Sequence, residues 1–155
     1  MNIGLIDVDG HNFPNFALMR ASAYHKAKGH RVEWATPFSR YDKVLASKVF
    51  TFTPDFNYLS LQADIIEKGG TGYDIHKKLP FEISCSTLMD YSIYPQYRFS
   101  IQFFSRGCIR HCPFCLVREK GIYSYRRTGR TEPERRVDRG IRQQLLCESE
   151  LERGY

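Results

Sequence analysis

The 155-residue sequence lacks any apolar run approaching the ~20 residues that a membrane-spanning helix needs. A leader is not expected either. The apolar start over residues 1–6 soon meets Asp7 and Asp9, which is wrong for a signal peptide. These two absences set the expectation of a soluble, cytoplasmic protein with no membrane partner. There is also no block of five or more Lys or Arg. The net charge of +6 is diffuse, and a solvated surface explains it better than a nucleic-acid patch. Cysteine is scarce: of five, three fall within residues 108–115, which excludes an evenly stapled disulfide scaffold. What is present is enough for a packed core. Hydrophobic residues make up 42% and aromatics 14%, which argues against wholesale disorder. The length suits one ordinary domain, or one small domain and part of another.

Residues 2–6 (NIGLI) read as a buried strand, ended by Asp7, Asp9 and Gly10. Pro14 suits the first turn of a helix, where its missing N–H has no partner. Ala17, Leu18, Ala21 and Tyr24 continue at helical spacing, and Gly29 ends the helix. Residues 31–35 (RVEWA) read as a second strand. The whole is a parallel strand–helix–strand crossover, expected to be right-handed. After a loop over 37–41, residues 48–53 (KVFTFT) have the β-branched and aromatic content of a third strand. Residues 63–67 (ADIIE) suggest a fourth. The run Gly69-Gly70-Thr71-Gly72 reads first as a turn, with phosphate binding as the alternative. Residues 79–97, with Pro80 and Pro95, read as an irregular linker, and 98–105 (RFSIQFFS) as a strong strand.

The chemistry-bearing feature is Cys108-Ile-Arg-His-Cys112-Pro-Phe-Cys115, a Cys-x3-Cys-x2-Cys spacing. Three thiolates so close lie on one tight loop and can face a common centre. They are soft ligands, suited to an iron–sulfur cluster or to zinc. Gly107 would allow close backbone approach, and Arg106 and Arg110 would offset negative charge. A structural zinc site wants four protein ligands. Cys85 and Cys147 lie 23 residues before and 32 after the trio, without a partner at zinc-knuckle spacing. The adjacent His111 would point away from the centre. A four-iron cluster held by three cysteines leaves one iron open to an external ligand. The spacing therefore favours a cluster over zinc, and either over inert or disulfide-bonded thiols.

This spacing, with the aromatic Phe114 just before the third cysteine and a strand leading into Ser105-Arg106-Gly107, resembles the signature of the radical S-adenosylmethionine family. The resemblance implies that Cys108, Cys112 and Cys115 ligate a [4Fe–4S] cluster. It implies that the open iron chelates S-adenosylmethionine and that Phe114 packs near the adenine, with plain core packing as the alternative for that ring. It implies reductive cleavage to a 5′-deoxyadenosyl radical, with ferredoxin or flavodoxin as electron donor. Residues 16–34 are similar to part of the cobalamin-binding-like domain that many members carry. Asp9-Gly10-His11 matches the start of the cobalamin lower-ligand pattern, but Pro14 stands where that pattern has Gly. A loop whose Asp9 and His11 cap the helix or face water is the plainer reading.

The expected architecture is α/β: a small Rossmann-like parallel-sheet domain over 1–78, a linker over 79–97, and the first strand and cluster loop of an incomplete (β/α) barrel over 98–120. Residues 121–155 form a tail of another kind, with eight Arg and no Lys. Its composition suits an out-of-frame reading, since codons permitted for 137–150 can spell, one base later, a second barrel strand of the family. The expectation is a frameshifted or truncated radical enzyme, this chain its inactive N-terminal fragment. The alternative is a zinc- or cluster-holding module that acts through a partner or nucleic acid.

Overall fold

The computed structural model describes residues 1–85, 88–101 and 112–120. The chain divides into two compact units, Met1–Pro95 and Gln96–Tyr155.

In the first unit, β1 (Asn2–Asp7) leads through α1 (Phe16–Ala27) to β2 (Arg31–Trp34), followed by β3 (Arg40–Ser47) and β4 (Gln62–Gly69). The four strands form one parallel sheet in the order β2-β1-β3-β4, an α/β arrangement. β1 is apolar along its length because a parallel strand in mid-sheet is covered on both faces. Alternation puts Ile3 and Leu5 on one face, Gly4 and Ile6 on the other. All four are buried.

α1 packs on β1, β2 and β3. Asn15 caps it, its Oδ1 accepting from the N–H groups of Ala17 at 3.1 Å and Leu18 at 3.4 Å. Pro14 therefore precedes the cap instead of opening the first turn. Asn15 Nδ2 also donates to Ser47 Oγ at 2.9 Å, tying the helix start to the end of β3. At the other end Gly29 takes φ +75°. Its N–H reaches Lys26 O at 2.9 Å and the His30 N–H reaches His25 O at 3.0 Å, the paired bonds of a Schellman stop.

β2 and β3 flank β1, so residues 35–39 must cross over it. Gly4 makes the crossing fit: a Cβ there would stand 3.1 Å from Ala35 Cβ and from the Tyr41 ring. Beyond it, Ile6, Tyr41, Val44 and Ala46 form a core patch.

The third strand is not where local propensity puts it. It occupies Arg40–Ser47, and 48–53 is a loop. Register decides this: pairing with β1 sets Val44 beside Gly4 and Ala46 beside Ile6. Past Ser47 the Asp9 carboxylate takes the N–H of Val49 at 2.5 Å and of Phe50 at 3.3 Å, and the Thr53 hydroxyl at 2.6 Å. The chain turns away, and Phe52 is left 82% exposed. β4 lies at the edge. Arg40–Asp64 (3.0 Å) and Lys43–Glu67 (2.7 Å) pin its register to β3. Its Ile65 remains 54% exposed.

The segment expected as an irregular linker contains α2 (Phe81–Ser84) and a 3-10 turn at Tyr91–Ile93. Up to Pro95 it belongs to the first unit. It straps α1. Arg20 Nη1 donates to Ser84 O at 2.5 Å, the Asp90 N–H to Met19 O at 3.1 Å, and Ser22 Oγ and Lys26 Nζ both reach Asp90 at 2.6 Å. Ile83, Tyr91, Ile93 and Tyr94 are buried.

In the second unit the described residues include α3 (Leu116–Glu119) and a short stretch in which Ser100 and Ile101 are buried. Residues 102–105 of the expected strand 98–105, and the whole tail 121–155, lie outside the described residues. Among those described, no helix is long and apolar enough to cross a membrane.

Candidate metal centre

Cys112, Pro113, Phe114 and Cys115 form one turn, closed by the Cys115 N–H donating to Cys112 O at 3.1 Å. Pro113 suits its second position, where the ring presets φ. The first and last residues of such a turn have Cα atoms within about 7 Å of each other. Both cysteines are half-buried free thiols. α3 follows at once, and the Lys120 N–H closes it on Leu116 O at 3.0 Å. Between the two thiols the Phe114 side chain is 88% exposed. It is not core packing.

This donor pair fits a shared soft metal centre: two thiols, close, on one rigid turn, neither consumed by a disulfide. Cys108, with Arg106, Gly107, Arg110 and His111, lies outside the described residues, as does Cys147. Among the described residues no group of three or more His, Cys, Asp and Glu is assembled to hold a metal. Cys85, the C-cap of α2, is disulfide-bonded and offers no thiolate in this state.

A second polar group gathers at the carboxyl ends of β1 and β2. Tyr94 OH donates to Asp7 Oδ2 at 2.6 Å, and Trp34 Nε1 donates to the Ile93 carbonyl at 3.1 Å. The His11 ring stacks on Trp34 at 4.0 Å between centroids. Burial pushes the Asp7 carboxyl above its ordinary value, against the lowering effect of the Tyr94 bond and of His11. Asp9 and His11, read together as the start of a cobalamin pattern, are thus employed separately. Asp9 clamps the 49–53 loop and His11 lies on an indole. Neither caps α1, whose cap is Asn15.

The glycine-rich run is a turn whose amides bond to the chain itself. The Gly72 N–H donates to Lys48 O at 2.9 Å, and the Tyr73 and Asp74 N–H groups both reach Gly70 O at 3.1 Å. Those three amides are not a phosphate cradle. Beside it lies a network that sequence reasoning missed. Tyr73 OH donates to Asp55, Tyr58 OH meets Tyr73 OH at 2.5 Å, and Lys68 Nζ pairs with Asp55 at 3.0 Å. The Tyr73 bond, more than Lys68, holds Asp55 at about 2, while burial and that same carboxylate push the Tyr73 phenol up. Tyr58 and Tyr73 stand 15 residues apart, a separation without any periodic signal.

No family model, no curated protein and no solved structure matches the chain.

Proposed function

We propose that this chain is a radical S-adenosylmethionine protein in which Cys108, Cys112 and Cys115 hold a [4Fe–4S] cluster. One observation carries the reading: Cys112 and Cys115 end a single hydrogen-bonded turn as free thiols, within the Cys-x3-Cys-x2-Cys spacing. When bound, such a cluster supplies an open iron for S-adenosylmethionine and the electron that cleaves it to a 5′-deoxyadenosyl radical. The chain's own groups have narrower tasks. The thiolates of Cys112 and Cys115 ligate, and the bond that closes their turn sets their separation. Phe114 offers an exposed ring on which the adenine of a bound nucleoside can stack.

Under this reading residues 98–120 open a (β/α) barrel, and Met1–Pro95 is the cobalamin-binding-like domain that precedes it. Cobalamin is not part of the reading, since Pro14 stands where the lower-ligand pattern has Gly. A ferredoxin or flavodoxin is the matching electron donor.

The experiment is anaerobic reconstitution of the full chain with iron and sulfide, followed by addition of S-adenosylmethionine. Four irons and four sulfides per chain, with a spectral change on adding the nucleoside, are the expected result. A colourless protein that binds one zinc overturns the proposal and supports a zinc-holding module.

A further inference from the structure

Lys48 directly follows β3, at the carboxyl edge of the sheet. The chain leaves β1 toward β2 on one side and returns to β3 on the other, so the strand order reverses between β1 and β3. Open parallel sheets bind their ligands outside the carboxyl ends of the strands at such a reversal. Lys48 is also the most deeply set lysine of this edge, only 8% exposed. Glycines make that burial feasible. A Cβ on Gly72 would stand 2.7 Å from Lys48 Cγ, and a Cβ on Gly70 would stand 2.3 Å from Lys48 O. Gly72 leaves the space that the lysine stem occupies, and Gly70 lets the turn approach the Lys48 backbone.

Its charge is not balanced locally. Among the described residues no carboxylate lies within 4.0 Å of Lys48 Nζ. Two ammonium groups approach the Tyr73 ring at 5.4 Å, those of Lys48 and Lys68. Asp55, the carboxylate at this ring, is bonded to Tyr73 and paired with Lys68. Asp9 is committed to the amides of Val49 and Phe50. One positive charge is left over, at the tip of a buried stem. An ammonium without a carboxylate partner has its donors open to an external anion, and such charge-assisted bonds are the strong ones.

We propose that Lys48 Nζ, walled by Tyr73 and the 69–73 turn, is an anion-binding site for a small oxyanion, the carboxylate or phosphate monoester of a small molecule. The sequence hinted at an anion near this turn. The structure moves the donor from the turn's amides, which are used internally, to the lysine that the turn's glycines admit. The site is independent of the cysteine loop, and its test does not involve iron.

The probes are inorganic phosphate and acetate, each titrated into the full chain at constant ionic strength set with chloride. Backbone amide shifts are read at Gly70, Thr71, Gly72 and Tyr73, with Ala21 and Ala23 of α1 as remote controls. The expected result is a saturable shift at the turn and none at the controls. Tighter binding of phosphate marks a phosphate monoester as the ligand, and tighter binding of acetate marks a carboxylate. Lys48→Met, which keeps the stem, should weaken the response about 10- to 100-fold, whereas Lys77→Met should leave it unchanged. No saturable shift with either anion in the unmodified chain overturns the proposal, whatever the variants do. A shift that survives Lys48→Met in a folded chain also overturns it.

Discussion

Tyr94 donates its hydroxyl proton to the Asp7 carboxylate over 2.6 Å, across 87 positions of chain. The bond fastens the end of the strap to the carboxyl end of β1. Tyr94 is fully buried, so its hydroxyl has little recourse to water. Tyr94→Phe is expected to cost about 1 kcal/mol at neutral pH, measured by chemical denaturation. The pH dependence follows from Asp7. Burial sets its folded-state pKa above the unfolded value, so its contribution is whole in acid and is lost as pH rises through the raised pKa. Removing the Tyr94 donor raises that pKa further. The deficit of Tyr94→Phe should therefore grow from acid to neutral pH. An equal deficit at both would show that Asp7 is not its partner.

Asp9 supports a prediction of a different kind, a local one. Its carboxylate takes three donors from the 49–53 loop and is the described reason that the loop leaves the sheet. Asp9→Ala should expose the Val49 and Phe50 amides to exchange, by a local loss of about 2 kcal/mol, with β1 and β3 still protected. Unchanged protection at Val49 would mean the clamp is not what holds the loop.

Those two long-range bonds also explain what could be read from the residues alone. β1, β2 and β4 were legible because each is a short apolar or β-branched run bounded by Asp, Gly or turn residues. β3 was displaced by eight residues. Its loop, 48–53, has better strand formers than Arg40–Ser47, but only register against β1 shows which residues reach the core, and register is not local. The strap over 79–95 looked irregular for the same reason. Ser22 and Asp90 stand 68 apart, and Trp34 and Ile93 stand 59 apart. The cysteine trio was legible because its spacing is its geometry: Cys112 and Cys115 need only one turn to meet. Lys48 was not, since its meaning depends on which side chains Gly70 and Gly72 lack.

The end of α1 carries an acid-sensitive contact. His25 Nδ1 and His30 Nδ1 lie 3.0 Å apart, within hydrogen-bond distance, with the rings stacked at 5.2 Å. Burial, then His30, Lys43 and Lys28, push the His25 pKa down against the pull of Glu67, and Tyr24 meets the ring edge-on at 5.3 Å. A depressed folded-state pKa means that the contribution is present above the unfolded value, about 6.5, and is lost as pH falls through the folded one. The thermal midpoint should drop between pH 7.5 and 5. In His30→Gln, which removes one of the charges that disfavour protonation, the drop should be smaller. A midpoint equally pH-dependent in both would place the acid sensitivity elsewhere.

The cysteines supply the prediction that bears on chemistry. Cys112→Ala or Cys115→Ala removes one end of the turn that brings two thiols together, and either should abolish iron retention after anaerobic reconstitution under reducing conditions. Cys108→Ala should do the same under the proposed ligand set. Cys85 is different. It caps α2, whereas Cys112 and Cys115 end one hydrogen-bonded turn. Cys85→Ala and Cys147→Ala should keep the full iron and sulfide content, and keep the spectral response to S-adenosylmethionine. The response matters more than the count. A cluster gripped by three cysteines has one iron with no protein ligand, and that is the position an amino acid's amine and carboxylate can occupy. If Cys85→Ala loses the cluster, four thiolates hold the metal, no iron is open, and the nucleoside has nowhere to bind.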